Sequence, residues 1–230
     1  MLGLLRKKMR QLTLFILVSV FSFGIFAQDR TEMWFSAGAK TKISKHLVAS
    51  VGTNARIRFD GKLQTLFQDV GVKSEHLSWF RPSIEYRLIT SYDEVGNFSL
   101  SNRLNFNADF RYKKNNIKYG TRLRYQTFIG NSFSSGGDLD PAFRIKPYAV
   151  YELENSKITP ELSVEFFYNP VNQVNGNRFN RYRIGLTGAI DLPGKNELSV
   201  TYYYGRKFNT GNPYNEHLIS LEYGFEWKRK

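Results

Sequence analysis

Cysteine is absent from the 230-residue chain. That excludes disulfides, thiolate nucleophiles and cysteine metal sites. Histidine is scarce, with only His46, His76 and His217. No G-x-S-x-G elbow, H-E-x-x-H pair or glycine-rich phosphate loop occurs. Beyond residue 27 no apolar run approaches the roughly 20 residues of a membrane-spanning helix. Acids are the minority, with 20 Asp and Glu against 33 Lys and Arg and a formal net charge of +13. A basic balance invites a nucleic-acid reading. It is set aside because the basic residues do not cluster but alternate with apolar ones. An anionic surface, such as lipopolysaccharide phosphates, suits that charge better.

The first residues read as a leader. Arg6, Lys7, Lys8 and Arg10 precede an apolar stretch from Leu12 to Phe26, and the small residue Ala27 precedes Gln28 and Asp29. A basic start, a short apolar centre and a small residue at the cut describe a secretory signal peptide over 1–27. Residues 28–230 hold no linker and no change of composition, so they read as one domain.

Within that domain the recurring pattern is alternation with period two, the mark of strands with one apolar and one polar face. Asn97 to Tyr112 is the clearest case. Phe98, Leu100, Leu104, Phe106, Ala108, Phe110 and Tyr112 fall on one face; Ser99, Ser101, Arg103, Asn105, Asn107, Asp109 and Arg111 fall on the other. Ten strands follow from Leu47 onward, and Met33–Lys40 reads as a shorter eleventh. Long Gly-, Asn-, Ser- and Pro-rich connections at Gly130–Pro141, Pro170–Asn177 and Asn209–Glu216 alternate with short ones at Lys113–Asn116, Glu154–Ser156 and Pro193–Asn196. Asp69 is expected at a bulge or out of register. Pro82, Pro147 and Pro160, each lacking an N–H, are expected at bulges or strand ends.

These features predict an all-β fold: a transmembrane antiparallel up-and-down barrel with a charged interior. Bacterial outer-membrane barrels have even strand counts. The expectation is therefore ten strands, with twelve if one hairpin is merged, and Met33–Lys40 outside the ring. Strands of this length suffice for the roughly 9–11 residues a tilted strand needs to cross a bilayer. Aromatics, 16% of the chain, gather near strand ends as interfacial girdles do. Tyr223, Phe225 and Trp227 resemble the C-terminal signal read by barrel-insertion machinery. The implied location is the outer membrane of a Gram-negative bacterium, with membrane lipids including lipopolysaccharide as partners.

An early Trp34 strand, Ile84-Glu85-Tyr86-Arg87, and Tyr119-Gly120-Thr121-Arg122-Leu123-Arg124-Tyr125 carry a family resemblance. So do the run from Lys146-Pro147-Tyr148 through Glu165-Phe166-Phe167-Tyr168-Asn169-Pro170, and Asn180-Arg181-Tyr182-Arg183-Ile184-Gly185-Leu186. From about Trp34 to the C-terminus the chain resembles an outer-membrane β-barrel family, number 2490 among the domains of unknown function. The resemblance implies a barrel in the outer membrane and no agreed activity.

Little in the chain points to catalysis, and the reading is of a protein that is not an enzyme and needs no cofactor. Glu216–His217 falls in an expected outer loop, but adjacent residues on a strand face opposite ways, so Glu216 is poorly placed to orient His217. His46 and His76 read as residues flanking periplasmic turns. Asp138 and Asp140 lack the EF-hand ligand spacing. The strongest constellation is the set of inward charges: Arg56, Arg58, Arg81, Glu85, Arg87, Arg103, Asp109, Arg111, Arg122, Arg124, Glu161, Glu165, Arg181, Arg183 and Glu222. A barrel of about eight strands is just filled by its side chains, so these charges are expected to pair across the lumen. The competing reading is a narrow, porin-like path favouring anions. Two further alternatives are a lipid-modifying enzyme using His217 and a soluble barrel holding an apolar ligand.

Overall fold

Period-two alternation becomes eleven strands in the computed structural model, which describes residues 30–129, 141–154, 156–171 and 176–227. They are β1 (Arg30–Lys42), β2 (Leu47–Arg58), β3 (Leu63–Ser74), β4 (Phe80–Tyr92), β5 (Phe98–Lys114) and β6 (Ile117–Phe128). Then come β7 (Ala142–Tyr151), β8 (Ile158–Tyr168), β9 (Phe179–Leu192), β10 (Asn196–Lys207) and β11 (Tyr214–Trp227). The expected leader at 1–27, Asp138, Asp140 and Lys228–Lys230 lie outside the described residues.

Each strand pairs antiparallel with the next, and β1 meets β11 to close the barrel. The expected count of ten or twelve is corrected to eleven. Met33–Lys40 is no appendage: it lies in β1, with Trp34 opposite Arg56 of β2 and Ser220 of β11. In an up-and-down ring an odd count leaves the first and last strands pointing the same way. The β1–β11 seam is accordingly parallel, and β2 does not pair with the final strand as a ten-strand ring would require.

The alternation of long and short connections holds from β5 onward, whereas 43–46 and 59–62 are both four residues and 75–79 and 93–97 both five. Connections at 43–46, 75–79, 115–116, 152–157 and 193–195 gather at one end of the barrel, called here the turn end. Two are tight: Asn115 has φ 53° in a two-residue turn, and Gly194 and Lys195 have φ 79° and 66°, the left-handed backbone that matches strand twist. Connections at 59–62, 93–97, 129–141, 169–178 and 208–213 gather at the loop end.

Three local expectations are corrected. Asp69 sits in regular register opposite Arg87. The shifts in register fall instead between Arg56 and Ile57, where Gln64 of β3 is the additional residue, and between Phe167 and Tyr168, where Asn180 of β9 is. No proline coincides with them. Pro82 and Pro160 lie at the third position of their strands, and the β7–β8 ladder skips Lys146 and Pro147 without changing register. Glu216 and His217 belong to β11, not to a loop.

Inward and outward faces separate sharply. Inward positions carry Asn105, Gln126, Glu165, Arg183 and Glu216, all buried. Outward positions carry large apolar side chains left bare, such as Phe98 at 66% exposure and Leu186 at 60%. Every charged residue in the eleven strands has the inward parity except Lys114 and Arg206. Glycines on the inner side give aromatic rings room: Tyr148 lies over Gly120, and Tyr203 over Gly185.

Candidate functional site

Inside the barrel, arginine is held by carboxylates on the adjacent strand or the one beyond it, and by aromatic faces. Arg87 grips Asp69 with two bonds, at 2.6 and 2.9 Å. Arg144 grips Glu165 with two, at 3.1 and 2.8 Å, and Arg122 adds a third at 3.1 Å. Arg124 donates to Glu85 at 2.9 Å and to Asn107 at 2.5 Å. Glu216 receives Arg181 at 3.3 Å and Arg183 at 3.1 Å. Lys146 meets Glu161 at 3.0 Å. Forked guanidinium–carboxylate pairs of this kind fix geometry as well as charge.

Aromatic rings link these clusters across the lumen. Arg87 lies 4.8 Å from the Phe67 ring centre, and Arg56 lies 4.5 Å from the same ring and 4.1 Å from that of Trp34. Arg183 lies 5.0 Å over Trp34 and 5.4 Å over Phe167; Arg144 lies 4.7 Å over Phe167. The path runs from β4 through β3, β2, β1, β9 and β8 to β7. Glu165, Arg122, Arg124 and Glu85 complete the circuit back to β4. Phe67, Phe167 and Leu218 are almost wholly buried at this level.

Toward the turn end the packing loosens. Ser50, Glu197 and Glu222 face inward yet are exposed to solvent. Gly38, Gly52, Gly71 and Gly224 have the inward parity in this part. At its mouth a small open pocket lies among Lys40, Lys42, Val48, Lys73, Glu75 and Glu226. Lys73 holds Glu75 at 3.1 Å and Arg81 approaches the same oxygen at 3.2 Å. Burial opposes ionisation of Glu75, but the Lys73 hydrogen bond and the positive charges of Lys73, Arg81 and Lys42 hold its carboxyl below the usual range.

All fifteen inward charges expected from the sequence have the inward parity, but they do not form one cluster. Arg58 is at the loop-end mouth, with Asp60 at 3.3 Å and Glu94 at 3.5 Å. Arg81 turns to Glu75 at the opposite mouth. Arg111 and the Tyr148 hydroxyl share Asp109, at 2.5 and 2.9 Å. Arg103 lies 5.5 Å over Phe128. Glu222 stands in the wider part of the lumen. Asp69, Arg144, Lys146 and Glu216 were not among the expected set, nor were the rings of Trp34, Phe67, Phe167 and Tyr203. Their signal was available: these aromatics occupy the same strand parity as the charges.

Other expected features are placed apart. Glu216 is buried in the lumen, whereas His217 faces outward with Nδ1 2.8 Å from the Tyr202 hydroxyl. The wall of the barrel separates the two. His46 and His76 meet edge-on, ring centres 4.6 Å apart, across two turn-end connections. Among the described residues no group of three or more His, Cys, Asp or Glu is arranged to hold a metal ion.

A closed antiparallel barrel with a salt-bridged, aromatic-packed interior is therefore the class of protein. Residues 31–216 match the family described as Protein of unknown function (DUF2490), and the chain belongs to it. No curated protein matches. A solved structure described as "Unveiling the Mechanism Behind the in-meso Crystallization of Membrane Proteins" is similar at 14% identity and a TM-score of 0.40, over 78% of this chain and 75% of that one.

Proposed function

We propose that this chain is an outer-membrane barrel of structural or interaction type whose lumen is plugged rather than open. One observation carries the reading: all charged strand residues but Lys114 and Arg206 point inward, while bare Phe, Leu, Ile and Val side chains cover the outside. A belt of that kind in water would expose far more contiguous apolar surface than a soluble monomer tolerates. In lipid it costs nothing, and closure of the ring satisfies the backbone. A soluble barrel around an apolar ligand would need the inverse arrangement. The long-loop end then faces outward from the cell and the turn end faces the periplasm.

The arginine–aromatic circuit supports a plug over an anion path. Ions would have to part bidentate pairs and ring contacts that hold one another in place. The wider turn-end vestibule stops at this layer. His217, on the lipid side with Glu216 across the wall, gives no support to a catalytic role.

Membrane fractionation with heat modifiability tests the barrel, and conductance of protein-loaded bilayers tests the plug. Expected are an outer-membrane protein whose unboiled form migrates differently, and no stable channel. A mature protein soluble without detergent would refute the bilayer placement. A steady anion-selective current would refute the plug.

A further inference from the structure

Near the loop-end rim of β9, β10 and β11 the outward face carries a set of polar groups around an arginine. Arg206 lies next to the last residue of β10 at the loop end, and its cross-strand neighbours are Tyr182 on β9 and Asn215 on β11. The adjoining row holds Tyr204 opposite His217. The Tyr204 hydroxyl donates to Asn215 Oδ1 at 3.4 Å, the Tyr202 hydroxyl meets His217 Nδ1 at 2.8 Å, and the Tyr182 and Tyr204 rings stand 6.4 Å apart. Arg206 is exposed and has no ion pair among the described residues. That sets it apart from the inward arginines, which carboxylates and rings hold. Lys114, the other outward cation, sits at the opposite end, with Ile117 and Tyr151 in its row and Tyr112 and Tyr119 in the next, and has no imidazole in those rows.

We propose that this patch binds the phosphorylated sugar headgroup of an outer-leaflet glycolipid. The inference rests on the bilayer placement above. Arg206 is at the height where acyl chains give way to headgroups, and an unpaired guanidinium there calls for a phosphate, which it binds in a forked, charge-assisted geometry. The tyrosine rings offer flat, amphipathic faces suited to a sugar at the interface. Asn215 and His217 supply polar groups at the spacing of neighbouring strands. The loop-end location selects the outer leaflet and hence a glycolipid over a phospholipid.

The test is binding of diphosphoryl lipid A to the purified barrel in detergent, read by native mass spectrometry. Its dephosphorylated counterpart and phosphatidylglycerol are run alongside. Wild-type protein is expected to prefer diphosphoryl lipid A to either by about tenfold or more, the scale of one hydrogen-bonded charge pair. Arg206→Gln is expected to lose that preference, and Lys114→Gln to keep it. Equal binding of the three lipids by the wild type, or an unchanged preference in a heat-modifiable Arg206→Gln, would overturn the proposal. Should Arg206→Gln fail to form a heat-modifiable barrel, the wild-type lipid comparison decides alone. Failure of the bilayer placement shows separately, as wild-type protein soluble without detergent.

Discussion

Replacing Glu165 by Gln removes the one negative charge that holds two arginines together. Only 8% of the Glu165 side chain is exposed, against 15% for Arg144 and 30% for Arg122. Gln keeps the volume, so no cavity forms and the effect isolates the charge. What remains is a buried positive cluster of Arg122 and Arg144 next to Arg183, which lies directly opposite position 165 on β9. Removing one partner of a buried pair costs about 3–5 kcal/mol, because the charges left behind stay out of water. The Phe167 face, 4.7 Å from Arg144, offsets only part of this, since such contacts contribute about 0.5–2 kcal/mol. The loss is therefore expected at about 3 kcal/mol, measured by denaturant unfolding in detergent micelles followed by the gel shift. Glu222→Gln is the matched control: its carboxylate faces the wider lumen without an ion pair among the described residues, and its loss is expected within about 0.5 kcal/mol. A Glu165→Gln effect no larger than that of Glu222→Gln would refute the claim that this network holds the barrel.

Gly120→Ala places a methyl against the Tyr148 ring, whereas Gly188→Ala meets nothing within 4 Å. The first should cost about 1–3 kcal/mol by overpacking and the second should be neutral in the same unfolding assay; equal effects would contradict the inward placement of Tyr148. Glu216→Gln should destabilise by about 3 kcal/mol and His217→Ala by less than about 1 kcal/mol, because the two residues sit on opposite sides of the wall, and reversed values would contradict that placement. At the turn end, hydrogen bonds from Lys113 and Lys118 hold Glu152 down to about 2. A depressed carboxylate stabilises the fold fully above its ordinary value of 4.5 and loses that contribution as pH falls toward about 2. A carboxyl-carbon NMR titration should find its midpoint near the lower value, and a midpoint near the ordinary one would show that the lysine contacts do not persist.

Alternation made most of the barrel legible in the residues. Phe98–Lys114 and Ile117–Phe128 announce themselves because each apolar residue is followed by a polar one, and the turn between them is polar. The first strand was misread for a reason outside its own pattern: Met33, Phe35, Ala37 and Ala39 alternate correctly, but an even-count rule left no place for them. The start of β11 was hidden by composition. Asn209 to Asn215 is rich in Asn, Gly and Pro, so Tyr214, Asn215 and Glu216 looked like loop, although Tyr214, Glu216 and Leu218 keep the inward period. Assigning apolarity to the outer face hides Phe67, Phe167 and Leu218 as interior residues, although they share the parity of the charges. Nothing local distinguishes an aromatic that faces lipid from one that faces an arginine; only the parity of the neighbouring charges does.

That parity also explains why β1 belongs in the ring. Arg56 has no ion pair among the described residues. Its charge rests between the rings of Trp34 and Phe67. Trp34 also meets Arg183 of β9, at 5.0 Å, and stands 6.1 Å from Tyr203 of β10. A ten-strand ring closed directly from β2 to β11 would bring Arg56 and Arg183 closer together without the ring that separates them. Two buried cations so placed would repel in a medium that screens poorly. The odd strand, with its parallel seam, inserts a neutral π surface at the point where the positive charges converge, and the packing of the lumen rather than a rule about strand parity accounts for the count.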